Sequence, residues 1–102
     1  MESVYEMLLA HELQSRGLAV VRQQAIPVMY KGIQFETGFR ADLIVNDLVI
    51  VEIKSVEELH PVHKKQLLTY LRLARKPLGL LINFNQEPIK DGIIRLVNGL
   101  AE

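Results

Sequence analysis

The chain has 102 residues, 49% apolar and 24% charged, and its twelve basic and twelve acidic side chains cancel. This composition fits one soluble globular domain over 1–102 and excludes disulfides and cysteine-ligated zinc, because cysteine is absent. Zero net charge weighs against indiscriminate nucleic-acid binding, which needs an excess of Lys and Arg. The opening MESVYEMLLAHE lacks a basic n-region and a long apolar run, and no segment approaches a membrane span, so a cytoplasmic protein with no membrane partner is expected.

In chain order, Val4, Tyr5, Leu8, Leu9 and Leu13 recur at helical spacing over 2–16, and Gly17 supplies a C-cap. LAVVRQQAIPVMY at 18–30 reads as extended, and Pro27 suits an edge position. Lys31-Gly32 reads as a hairpin turn with a return strand at Ile33–Glu36, followed by a separate strand at Arg40–Val45. Asn46-Asp47 is a second turn, and Leu48–Lys54 pairs back as a hairpin. Ser55–Glu58 reads as a short helical turn. Pro61 opens a helix running to about Arg75. LGLLIN at 78–83 is a buried strand, and Ile93–Val97 a last edge strand. The order α-β-β-β-β-α-β(-β) predicts an α/β fold, a mixed central sheet flanked by helices.

The chemistry concentrates in VIVEIK at 49–54. Alternation puts Ile50, Glu52 and Lys54 on one strand face and Val49, Val51 and Ile53 on the other. A hairpin turning at Asn46-Asp47 brings Asp42 near the height of Glu52. Two carboxylates with room for water suit a hard cation such as Mg²⁺ or Mn²⁺, which polarises a phosphoryl oxygen and acidifies a water. A lysine beside them orients that water and stabilises transition-state charge. The plainer alternative is a solvated strand face with a weak ion pair. Lys64, Lys65, Arg72, Arg75 and Lys76 form a basic concentration with no acid between His60 and Lys76, suited to phosphates or simply to solvent. Gln66 and Tyr70, four apart on that helix, either face the phosphates or edge the core.

Taken together, these residues resemble the PD-(D/E)XK nuclease superfamily, and within it the GxxExxY family. The matching pieces are Glu2-Ser-Val-Tyr5, YKG at 30–32, FRADLIV at 39–45, VIVEIKSVEEL at 49–59, QLLTYL at 66–71, LGLLINFN at 78–85 and GIIRLVN at 92–98. The resemblance implies a restriction-endonuclease-like α-β-β-β-α-β core. It implies Asp42 and Glu52 as metal ligands, the Ile53 carbonyl as a further ligand, and Lys54 as the catalytic lysine. Gln66 and Tyr70 match the Q-x-x-x-Y signature of RecB-like nucleases, whose side chains support the active site. Glu2 matches the acidic residue of the first helix, which often faces the same site, and is implied as a further metal ligand. The signature glycine would precede Met1, so this helix is read as truncated, with a partner protein or a second copy completing the sheet's cover.

The implied function is Mg²⁺-dependent (or Mn²⁺-dependent) phosphodiester hydrolysis, with DNA as substrate ahead of RNA. The alternative is a non-catalytic nucleic-acid or protein interaction module that retains the nuclease fold.

Overall fold

The first helix, α1 (Glu2–Ser15), stops where Gly17 adopts φ +87°. There the Leu18 N–H donates to the Leu13 carbonyl at 3.1 Å and the Gly17 N–H to that of Gln14 at 2.9 Å. This is the closure a left-handed residue allows, as the glycine predicted. The computed structural model describes residues 1–99, apart from the side chains of Glu36 and Thr37; the last three positions of the expected domain lie outside the described residues.

Two long strands follow, β1 (Val20–Tyr30) and β2 (Ile33–Val45). Lys31 and Gly32 turn between them with φ of 50° and 79°, and Asn46 and Asp47 turn into β3 (Val49–Lys54) with φ of 52° and 58°. Two consecutive positive φ values match the twist of antiparallel strands, which is why short hairpins select Gly and Asn there. The two strands expected at 33–36 and 40–45 are one. The β1–β2 ladder slips between Ile26↔Phe39 and Val28↔Phe35, so a bulge absorbs the interruption without ending the pairing. Gly38 sits at the slip, where a Cβ would collide with the Ile26 carbonyl and the Val28 side chain.

Pro61 is the first residue of α2 (Pro61–Ala74), whose end is marked by Arg75 at φ +57°. β4 (Leu78–Asn83) then pairs parallel to β3, and β5 (Ile93–Val97) pairs antiparallel to β4. The five-stranded mixed sheet has the order β1-β2-β3-β4-β5, so Pro27 does lie on an edge strand. The helical turn expected at Ser55–Glu58 is absent; that stretch is irregular. Its backbone is held by β4: the Val56 N–H donates to Asn83 Oδ1 at 3.1 Å, and Asn83 Nδ2 returns to the Val56 carbonyl at 2.9 Å. Those bonds use groups a helical turn would have claimed.

The helices cover opposite faces. On one, Leu67 and Leu71 of α2 pack on Ile26, Ile44, Ile50 and Leu81. A Cβ at Gly79 would lie 2.9 Å from Leu71 Cδ1, so the glycine sets how closely α2 approaches. On the other face, Ala10 of α1 packs with Leu43, Val45, Val51, Ile53 and Ile82. Tyr5 stacks on Phe84 with centroids 4.6 Å apart. Beside α1 lies a groove of about 220 Å³ with apolar walls, among them Leu9, Leu13, Val49, Leu78 and Leu80. No helix among the described residues is long and apolar enough to cross a membrane. The architecture is the mixed α/β sheet flanked by helices that the element order predicted, and it matches the restriction-endonuclease-like core that the resemblance implied.

Candidate active site

The β2–β3 ladder runs Val45↔Val49, Ile44↔Ile50, Leu43↔Val51. Beyond Leu43 and Val51, side chains take over from the main chain. The Asp42 N–H donates to Glu52 Oε1 at 3.3 Å, and the Ile53 N–H donates to Asp42 Oδ2 at 2.8 Å. Each carboxylate therefore holds a backbone donor near the other residue, and the hairpin opens just enough to seat both. The period-two reading of VIVEIK holds: Ile50 is wholly buried under α2, while Val51 and Ile53 join the opposite core.

The electrostatics follow from that seating. Part of Glu52 still reaches solvent, but protein surrounds most of it. Burial pushes its carboxyl up from 4.5 to about 8, and the neighbouring Asp42 charge adds to the rise. The Asp42 backbone bond and the Lys54 ammonium pull the other way. Two carboxylates forced together disfavour double ionisation unless a cation joins them. Lys54 lies opposite Asn83 at the carboxyl ends of the parallel pair β3–β4, where open α/β sheets bind ligands. Its ammonium acts on Glu52 but belongs to none of the close ion pairs among the described residues, which are Arg16–Glu12, Arg22–Glu6 and Lys76–Asp47.

The donor set fits a hard divalent cation. Asp42 and Glu52 supply only oxygen, and a carboxylate has more lone-pair sites than these bonds occupy. The N–H and carbonyl of one strand residue point to the same side, so the Ile53 carbonyl faces the β2 side of its strand, as its N–H does. Among the described residues, no three acidic, His or Cys side chains converge as a ready-made cage. Two carboxylates plus water and substrate oxygens are the usual Mg²⁺ arrangement.

The other expected residues are placed as follows. Glu2 accepts the Ser55 N–H at 2.9 Å, tying the start of α1 to the chain just after Lys54. Gln66 donates to the Tyr70 hydroxyl at 2.7 Å, and the Tyr70 ring stacks on Phe39 at 3.9 Å, three residues before Asp42. Lys64, Lys65, Arg72 and Arg75 are exposed. Lys76 is partly buried and committed: its Nζ donates to the Asp47 carbonyl and to Asp47 Oδ1, at 2.9 and 2.8 Å.

Sequence reasoning missed a second layer. Glu6 of α1 is only 4% exposed. It accepts from Arg22 Nε at 3.1 Å and from Gln23 Nε2 at 2.5 Å. Gln23 Nε2 also lies 3.2 Å from Asp42 Oδ1, so the network reaches the site. A signal for Glu6 existed: it precedes Ala10 and Leu13 by four and seven, on the helix stripe facing the sheet. An acid there needs buried partners. Nothing local marked Arg22 or Gln23.

No curated protein and no solved structure matches the chain. The family model of the PD-(D/E)XK nuclease superfamily matches residues 1–96, a span that includes the hairpin, both helices and most of β5. With its acidic pair seated on the open hairpin between two helical layers, the chain belongs to the PD-(D/E)XK nuclease superfamily.

Proposed function

We propose that this protein is a Mg²⁺-dependent nuclease that hydrolyses phosphodiester bonds in DNA. The observation that carries the reading is the open end of the β2–β3 hairpin, where Asp42 and Glu52 face each other and burial beside Asp42 drives Glu52 toward its protonated form. Such a pair gains most from a cation. Asp42, Glu52 and the Ile53 carbonyl would hold Mg²⁺ or Mn²⁺. When bound, the ion supplies Lewis-acid polarisation of a phosphoryl oxygen and a more acidic water.

The chain's own residues do the rest. The Ile53 N–H fixes Asp42 before any ligand arrives, so little reorganisation accompanies binding. Lys54 brings a positive charge to the rim of the pair. There it orients the attacking water and meets the charge that grows on the phosphate during in-line displacement. The Tyr70–Phe39 stack and the Gln66–Tyr70 bond fix α2 against β2, and the exposed Lys64, Lys65 and Arg72 offer cations to the nucleic-acid backbone. Glu2 acts as an anchor for the loop after Lys54. The Glu2-Ser-Val-Tyr5 start supports assignment to the GxxExxY branch.

The test is cleavage of single-stranded DNA, double-stranded DNA and RNA with Mg²⁺ and with chelator, wild type against Lys54→Ala. Cleavage of DNA that needs the metal and collapses in the variant supports the proposal. Binding without cleavage in either protein would point to the non-catalytic interaction module.

A further inference from the structure

Gln23 departs from its surroundings in three ways. It lies inside β1, between Arg22, which pairs with Leu43, and Gln24, which pairs with Ala41, yet its φ is +51°. A non-glycine residue in the left-handed region costs of the order of 1 kcal/mol or more, and such residues persist where the surroundings hold them. Its carbonyl is bound by a side chain: Arg40 Nη1 donates to it at 2.7 Å. Its amide nitrogen meets two carboxylates, Glu6 Oε1 at 2.5 Å and Asp42 Oδ1 at 3.2 Å.

Those features form one device. The flanking pairs set Gln23 across from Asp42, and Arg40 satisfies the carbonyl of its left-handed backbone. Two carboxylates accept only hydrogen bonds, so only the NH₂ end of an amide can stand between them. Glu6 is itself fixed by Arg22 and buried under α1, which makes it a rigid post. Asp42 is then held at both oxygens: Oδ2 by the Ile53 N–H and Oδ1 by Gln23. The bond to Gln23 is the longer of the two, so it trims orientation rather than bearing the fold.

We propose that Gln23 is a positioning residue that sets the orientation of the Asp42 carboxylate, with Glu6 and Arg40 holding Gln23 in turn. This rests on the reading of Asp42 as a metal ligand, and it deepens that reading by naming the groups that preorganise the ligand. Gln23 need not touch substrate or metal.

The test uses Gln23→Met, which keeps length without donors, and Gln23→Gly, which suits a positive φ and removes the side chain. The first measurement is amide hydrogen exchange in metal-free protein at Ile53, whose N–H is held by Asp42, and at Val51, which lies in the regular ladder. Loss of a hydrogen bond to a charged group is worth about tenfold, so Ile53 should exchange about tenfold faster in both variants while Val51 is unchanged. The second is Mn²⁺ affinity by calorimetry, which should weaken about tenfold in parallel. Rescue of Val51-like protection by the glycine variant, or Ile53 and Val51 moving together or not at all, overturns the proposal. If Ile53 alone responds but wild-type protein takes up no Mn²⁺, the positioning role stands and the nuclease reading falls.

Discussion

The two ends of the β2–β3 hairpin are built from the same alternating strands and differ in almost everything else. At the turn end, Val45↔Val49 and Ile44↔Ile50 pair through the main chain, and their side chains vanish into two apolar cores. At the far end the ladder stops at Leu43↔Val51, and carboxylates replace carbonyls as acceptors. The paired side chains of the turn end are held by burial in apolar surroundings. The open end holds charges that burial disfavours, and the rest of the molecule keeps them there. Under the proposed function, stability and chemistry are separated by only a few residues along one strand, and mutations should read out that separation.

The largest effect belongs to the open end. Lys54→Ala should lower single-turnover cleavage by about 10²–10³, the usual cost of one preorganised charged donor. Its melting temperature should stay close to that of wild type, because a partly exposed cation contributes little to folding. Cleavage that survives within a few-fold would separate Lys54 from the chemistry.

At the turn end the same strand should behave in the opposite sense. Ile50→Ala removes a wholly buried side chain and should cost about 2–5 kcal/mol of stability, seen in denaturant unfolding. Any loss of cleavage should follow the fraction unfolded.

Acid–base behaviour sharpens the contrast further. Glu52 is raised above its unfolded value of 4.5 to about 8, so folding favours its protonated form. Its contribution to metal-free stability is fully present below pH 4.5 and is lost as pH rises through about 8. Glu52→Gln should remove that slope, gaining about 2–4 kcal/mol over wild type at pH 9 relative to pH 5. Urea midpoints across this range decide it, and a wild-type profile as flat as the variant's would refute the burial argument.

The smallest effect lies on α2. Replacing Lys64, Lys65 and Arg72 with Ala should weaken DNA binding and reduce the slope of log affinity against log salt by roughly one for each phosphate left without its cation. An unchanged slope would mark the run as a solvated helix face.

What the sequence revealed of this contrast depended on range. Gly17, Lys31-Gly32, Asn46-Asp47 and Pro61 act on their own backbones, so the ends of elements were legible from neighbours alone. Strand alternation and a short turn brought Asp42 near Glu52 in the sequence, but their register is set by the fold: Leu48, expected in the strand, joins the turn, and Val45 pairs with Val49. Beyond that reach the reading failed in definite ways. Gly38 and its polar neighbours look like a strand break, and only the partner strand β1 shows that the ladder resumes past the slip. Ser55–Glu58 carries helix-start chemistry, but Asn83, far along the chain, claims its backbone. Gln23 reads as an ordinary strand residue, since its left-handed backbone answers to Arg40, Glu6 and Asp42 rather than to its neighbours. Lys76 reads as one more free cation of the basic run, yet Asp47, on a distant turn, holds it.

The proposed function rests on the open end of this hairpin serving as a divalent-cation site assembled from Asp42 and Glu52. Calorimetric titration of Mn²⁺ into wild type and Asp42→Asn at pH 7, repeated in buffers of different ionisation enthalpy, tests it most directly. With Glu52 held near 8, the metal-free pair carries a proton at pH 7 that binding must displace. The expected result is one Mn²⁺ per chain, release of close to one proton, and affinity at least tenfold weaker in Asp42→Asn. Equal affinity in the two proteins, or binding that releases no proton, would contradict it.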